Sequence, residues 1–345
     1  MHYKLALAGF GNVGKALVDL LFSKEADLRA EGITFSIVAI ASGSHGRCIL
    51  PSGITHADYV QNILPAPSLN AFTQVYTSST EDWVAKCGAD VLFENTPVNY
   101  HTGQPALSLI DLALSHGMHA ITANKGPLVH GHAALTQLAF QNKRRFLYES
   151  TVMDGAPIFS LFRSALPAAT LNGFTAILNS TTNLILSLME QGSTFDQAVL
   201  ATQQAGLAET DPSGDIDGWD AAVKVAALAT VLMGVPTLPA EVNRQGIRHI
   251  TPDQVAQARA AGQRYKLVCA ARKTPTGLVT SVQPQLVDPA SPFYNINGST
   301  SIIQFHTDVL PNLTLIESDP TPHTTAYGLL ADLVTAARWD AAQPR

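Results

Sequence analysis

The sequence predicts an α/β protein: an N-terminal Rossmann-type, doubly wound parallel sheet, then a second α/β domain with a mixed or antiparallel sheet plus helices. Three observations predict it. Over the first 130 residues or so, near-continuous apolar runs alternate with segments of helical period, the pattern of parallel strands covered on both faces. A glycine turn of the form GxGxxG (Gly9, Gly11, Gly14) joins the first such run to the first helical segment, as in dinucleotide-binding βαβ units. From about residue 146 the character changes, and later runs alternate at spacings suited to an antiparallel sheet.

Taken in order, KLALAGF (4–10) is the first strand, and Val13, Ala16, Leu17, Leu20 and Leu21 give the next segment its helical period. TFSIVAIAS (34–42), DVLFENT (90–96) and HAITANK (119–125) are further strands, with the amphipathic helix PALSLIDLALSHG between the last two, closed by Gly117. RFLYESTV reads as a strand, Pro157 opens the helix PIFSLFRSAL, and GFTAILN (173–179) is again a strand. TNLILSLMEQG and TFDQAVLATQQAG are helical. KLVCAARK, LVTSVQPQLV and TSIIQFHT are alternating strands, and TTAYGLLADLVTAARW is a closing helix. The expected organisation is a nucleotide-binding domain over 1–130, a substrate-binding and dimerisation domain over 131–321, and a C-terminal helix, 322–345, packing back on the first domain.

Composition narrows the function. Hydrophobic residues make up 46% of the 345 positions and charged residues 14%, with a net charge of -6. No basic block is present, which argues against nucleic acid as a partner. The longest apolar stretch, around 225–235, is too short for a membrane span. Cys48, Cys87 and Cys269 are scattered without a CxxC pair, which suits a reducing cytosol. A soluble cytoplasmic protein with a small-molecule substrate is expected.

The glycine turn lets a pyrophosphate approach unpaired N–H groups at a helix N-terminus. The cofactor-binding set is therefore Gly9, Phe10, Gly11, Asn12, Val13 and Gly14, with Ser42 and Arg47 after the second strand, Asn95 and Thr96 after the third, and Lys125. The acid that usually ends the second strand is missing. Ser42 and Arg47 there can accept a 2′-phosphate, which favours NADP over NAD; the plain alternative is that Arg47 is a solvated loop residue. Lys125 either meets an anionic or carbonyl substrate beside the nicotinamide or is a surface lysine at a strand end.

The segment GLAETDPSGDIDGWDAAVKVAAL (206–228) gathers Glu209, Asp211, Asp215, Asp217 and Asp220 with one base, Lys224. Acids near a helix N-terminus are favoured by its dipole, which explains part of the cluster. Lys224 needs another account: it shares a face with Asp220 at i,i+4 on an almost wholly apolar helix. A desolvated, paired lysine near a cleft is a candidate for proton transfer.

ILNSTTNLILSLMEQGSTFDQAVLATQQAGLAETDPSGDIDGWDAAVKVAALA strongly resembles the signature region of homoserine dehydrogenases. TANKGPL, YESTVMDGAPI and GIRHITPDQVAQARAAGQRYKLV resemble the same family's other blocks, in order. The resemblance spans essentially the whole chain and implies an NAD(P)-dependent, homodimeric enzyme that interconverts homoserine and aspartate semialdehyde on the way to threonine and methionine. It implies catalytic roles for Lys125 and Lys224, and substrate binding by Glu209, Asp215, Asp220, Ser180, Thr181 and the residue at 207. It also implies a monovalent cation, Na+ or K+, at Glu149 and the Val152 carbonyl. The chain ends too early for the ACT-type regulatory domain common in the family, so feedback inhibition through one is not expected. Departures from the family pattern fall at Ser180 (usually Gly), Leu207 (commonly Tyr), Asp154 (usually small) and 317–320, where Glu-Ser-Asp-Pro replaces a glycine-rich stretch. Ser180, Leu207 and Asp154 motivate the alternative of a related oxidoreductase for a different small hydroxy acid or hydroxy amino acid. A non-catalytic nucleotide sensor would need neither lysine.

Overall fold

The structure, a computed structural model, describes residues 1–343; positions 344 and 345 of the expected C-terminal segment lie outside the described residues. The chain forms two compact units, one of residues 1–159 with 321–345 and one of residues 160–320.

The first unit is built on β1 (His2–Ala8), β2 (Thr34–Ser42), β3 (Gly46–Ile54), β4 (Val91–Glu94), β5 (His119–Thr122) and β6 (Phe146–Leu147), in the sheet order β3-β2-β1-β4-β5-β6. From β2 to β6 every pairing is parallel. Alternation along β1 feeds two cores. Leu5 and Leu7 join a cluster with Leu17, Leu21 and Ile37, while Ala6 and Ala8 join one with Val38, Trp83 and Leu109. Both faces are thus covered, as the continuous apolar runs require. The C-terminal helix Pro322–Ala341 returns to this unit and completes the first core with Leu329 and Leu333.

Two details of the first sheet differ from the sequence expectation. Residues 131–159 stay with the first unit, because β6 pairs with β5 and extends the same sheet; the domain boundary expected at 130 lies at 159. The segment after β2 is not only a loop. It turns through Gly46 (φ 79°) into β3, which pairs antiparallel with β2 as the sheet edge.

The second unit contains β7 (Leu171–Ile177), β8 (Asn243–Arg244), β9 (Arg264–Thr274), β10 (Gly277–Val287), β11 (Ser301–Thr307) and β12 (Leu313–Glu317). Their order is β12-β11-β7-β9-β10-β8. Pairings are antiparallel except the two-residue β8–β10 contact. The expected helix PIFSLFRSAL is instead a single turn at Ile158–Ser160 running into a wider turn at Leu161–Ala165. No helix among the described residues is long and apolar enough to cross a membrane. Cys48, Cys87 and Cys269 are buried free thiols.

Candidate active site

At the carboxyl ends of β1, β2 and β4 the first unit opens into a cavity of about 540 Å³. Each glycine of the turn has a separate steric reason. Gly9 has φ +98°, and a Cβ there would lie 2.4 Å from the Asn95 carbonyl oxygen. A Cβ on Gly14 would lie 2.4 Å from the Gly9 carbonyl oxygen, so this glycine lets the helix pack on the turn. Gly11 borders the cavity, and a Cβ on it would meet nothing within 4 Å. That open position is the approach a pyrophosphate needs. Gly11 also N-caps the helix Asn12–Ser23 with no side-chain cap, so the N–H groups of the first turn, Asn12 and Val13 included, are left for an anion.

Asn95 lines the same cavity, and both its side-chain amide atoms are buried with no protein partner. Orphaned polar atoms are rare in native proteins and mark the place of a ligand. The residues present therefore fit a dinucleotide. Beneath Asn95, the Glu94 carboxylate accepts the Thr96 N–H (2.8 Å) and the Thr122 hydroxyl (2.7 Å). Burial pushes the Glu94 carboxyl up, and these hydrogen bonds partly offset it. Asn124 ties the neighbouring strand ends together: its Nδ2 donates to the Thr96 carbonyl (2.9 Å) and its Oδ1 accepts the Gly126 N–H (2.9 Å). Lys125 sits between those anchors, half-buried, at the N-cap of the helix Gly126–Gln141.

Ser42 borders the cavity. Arg47 does not: as the partner of Ala41 in the β2–β3 hairpin, it turns its guanidinium to the Thr77 hydroxyl and carbonyl, 3.4 Å from each. The hairpin register thus places the Arg47 side chain against Thr77, next to the cavity rather than in its lining. Lys15, His45 and Glu81 also line the cavity and were not expected from the sequence. Glu81 follows a serine N-cap, a signal that marks a helix start but not a neighbouring cavity.

Glu149 lies in a short 3₁₀ turn after β6 and is buried. Its Oε1 accepts the Phe159 N–H (2.7 Å), and its own N–H donates to buried Asp332 (2.7 Å). Val152 is buried one turn on. Asp154 adopts a left-handed conformation (φ 41°) and accepts hydrogen bonds from the hydroxyls of Thr324 (2.9 Å) and Thr325 (3.0 Å) at the start of the C-terminal helix. Aspartate tolerates that backbone region better than most residues, so this departure holds a loop in place.

In the second unit, β7 runs out through Leu178 to Asn179, which N-caps the helix Ser180–Met189: its Oδ1 accepts the Thr182 N–H (2.8 Å). The other end of the same side chain, Nδ2, donates to Asp215 (2.6 Å) and to Asp220 (3.1 Å). Asp220 lies in the first turn of the helix Trp219–Leu232, and Lys224 one turn later brings Nζ to 3.2 Å from its carboxylate. Lys224 also donates to the Leu178 carbonyl (2.6 Å), and its side chain is 15% exposed. Burial, then repulsion from Asp220, pushes the Asp215 carboxyl up to about 6; Asn179, Lys224 and Thr181 partly offset this. Thr181 donates to the Leu207 carbonyl (2.8 Å), which brings Leu207 to the edge of this cluster beside half-buried Ser180.

The structure thus joins Asp215 and Asp220, and through Asp220 also Lys224, by way of Asn179, a residue singled out by nothing in the sequence except its N-cap position, with Thr181 and Leu207 bonded to each other beside them. Glu209 is not brought in: it is exposed on the loop between the helices Phe195–Gln204 and Ser213–Ile216. Asp211 turns onto the Ser213 N–H (3.0 Å), and Asp217 pairs with Arg248 (3.0 Å).

Comparison with known proteins identifies the family. The homoserine dehydrogenase family model matches residues 157–334, and the model of the homoserine dehydrogenase NAD-binding domain matches 9–149. An NAD(+)-dependent homoserine dehydrogenase of Pseudomonas canavaninivorans is 35% identical over 339 residues, 96% of each chain. The homoserine dehydrogenase of Methanocaldococcus jannaschii is 31% identical over 96% of this chain and 97% of its own. A hyperthermophilic archaeal homoserine dehydrogenase solved in complex with NADPH superposes with a TM-score of 0.82 at 27% identity, covering 98% of both chains. The chain belongs to the homoserine dehydrogenase family of NAD(P)-dependent oxidoreductases.

Proposed function

We propose that this protein interconverts L-homoserine and L-aspartate 4-semialdehyde, in the biosynthesis that leads to threonine and methionine. The observation that carries this reading is the Asn179-linked set of Asp215, Asp220 and Lys224. Bound NAD(P) would exchange the hydride with the alcohol carbon. The protein's part is then to manage one proton and two charges. When the aldehyde is reduced, the Lys224 ammonium donates to the carbonyl oxygen as negative charge develops there and passes it the proton; in the reverse direction it recovers that proton. Asp220 and the Leu178 carbonyl hold Nζ in position for this. The Asp215 and Asp220 carboxylates receive the substrate ammonium, and Ser180, Thr181 and Leu207 border its chain. Lys125 is the lysine this reading assigns to the first unit, at the carboxyl end of β5.

Three further assignments belong to the reading. Glu149 with the Val152 carbonyl takes Na+ or K+, supported by the burial of Glu149 and its neighbour Asp332; turnover in K+, Na+ and choline salts tests it. The protein is a homodimer, supported by apolar surface left on the second sheet at Val279, Leu286 and Ile316; light scattering gives the mass. It works in the cytoplasm, which the buried free thiols support and which fractionation of the source cells tests.

The deciding experiment is purified protein with L-homoserine and NAD or NADP, followed by the absorbance of reduced nicotinamide. Steady growth is expected. Lys224→Ala should lower kcat by orders of magnitude with dinucleotide affinity nearly unchanged. Turnover confined to other hydroxy acids would hand the reading to a related dehydrogenase, with Leu207 as the residue responsible.

A further inference from the structure

We infer that Glu81 selects NAD over NADP, standing at the adenosine ribose where an acid at the end of β2 would otherwise stand; this rests on the reading of the first unit's cavity as the dinucleotide site. In βαβ dinucleotide folds that acid holds the ribose hydroxyls and repels a 2′-phosphate. Here β2 ends at Ser42, followed by Gly43, Ser44 and His45. All four line the cavity, and so does Glu81. It is the second residue of the helix Thr80–Lys86, which Ser79 caps. Hydrogen bonds from its own N–H and from Ser79, with Arg47 nearby, hold its carboxyl below the usual range, so it carries a fixed negative charge at neutral pH.

The cations nearby do not reverse this. The Arg47 guanidinium is engaged with Thr77 and is not part of the lining. Lys15 lies in the first turn of the helix that follows Gly11, and its Nζ is 5.9 Å from the ring of Phe10, a residue of the glycine turn that a pyrophosphate would approach. The His45 ring shares Nδ1 with the hydroxyls of Ser42 and Ser44. A 2′-phosphate at the ribose end would therefore meet the one carboxylate of the lining.

The test is binding of NADH and NADPH, each titrated by nicotinamide fluorescence with no homoserine present, so that it stands apart from the substrate assignment. Wild-type protein should bind NADH about tenfold or more tighter than NADPH, the effect of one unscreened like-charge contact. Glu81→Gln should narrow that ratio by tightening NADPH, and Glu81→Lys should invert it; NADH binding by both variants reports that they fold. Wild-type protein preferring NADPH, or variants that bind NADH with the ratio unchanged, would overturn the assignment.

Discussion

Lys224 and Asp215 are neighbours in one cluster, yet their surroundings treat them differently. Lys224 has a carboxylate at 3.2 Å and a carbonyl at 2.6 Å. Asp215 is buried beside a second acid and is pushed up to about 6. If its carboxylate receives the substrate ammonium, kcat/KM for homoserine should fall as pH drops through about 6, where Asp215 takes up its proton. Asp220→Asn removes the repulsion and should move that limb to lower pH. Stability runs in the opposite sense. A carboxyl whose folded pKa lies above its unfolded value contributes stability at low pH and loses it as pH rises through about 6. Asp215→Asn should therefore raise Tm relative to wild type near pH 8 and lose that advantage near pH 4. A flat kcat/KM profile through pH 6, in protein whose Tm does respond to pH, would remove Asp215 from substrate binding.

At the level of elements, the β1 turn separates packing from binding. Gly14→Ala drives a Cβ to 2.4 Å from the Gly9 carbonyl and should cost about 1–3 kcal/mol of stability together with dinucleotide affinity. Gly11→Ala meets nothing in the protein, so Tm should hold while dinucleotide affinity falls by about tenfold or more, the cost of a methyl where the pyrophosphate must approach. Equal loss of Tm in the two variants would show that the turn serves packing alone. This turn was legible because its three glycines fall within residues 9–14, at the spacing a dinucleotide-binding turn uses. Arg47 and Glu81 were not: the hairpin register of β3 turns Arg47 toward Thr77, and Glu81 reaches the cavity from a helix 34 positions later. Asn179 lies between these cases. Its N-cap role is a local signal, whereas its bridge to Asp215 and Asp220 depends on two later helices, Ser213–Ile216 and Trp219–Leu232.

For the whole molecule, the domain boundary was the least legible feature: β6 is a two-residue strand with no periodicity to read, and its pairing with β5, together with the bonds from Glu149 and Asp154 to the C-terminal helix, keeps residues up to 159 in the first unit. The C-terminal helix was easier, since its apolar period had to be buried somewhere. It contributes Ala326, Leu329, Leu330, Leu333, Ala336 and Ala337 to the core that holds Leu17 and Leu21. Burying each leucine is worth about 1.5–3 kcal/mol, so the three together amount to much of the ~5–15 kcal/mol by which a typical domain is stable. A chain ending at Pro320 should therefore lose the cooperative unfolding of its nucleotide-binding unit. Leu333→Ala, a smaller change at a fully buried position, should fold and cost about 2–5 kcal/mol. Urea titration followed by NADH binding measures both. If the truncated chain binds NADH and unfolds at the wild-type midpoint, the helix is an accessory to that core; if binding is lost and Leu333→Ala unfolds at lower urea, the sequence after Pro320 is a structural part of the nucleotide-binding unit.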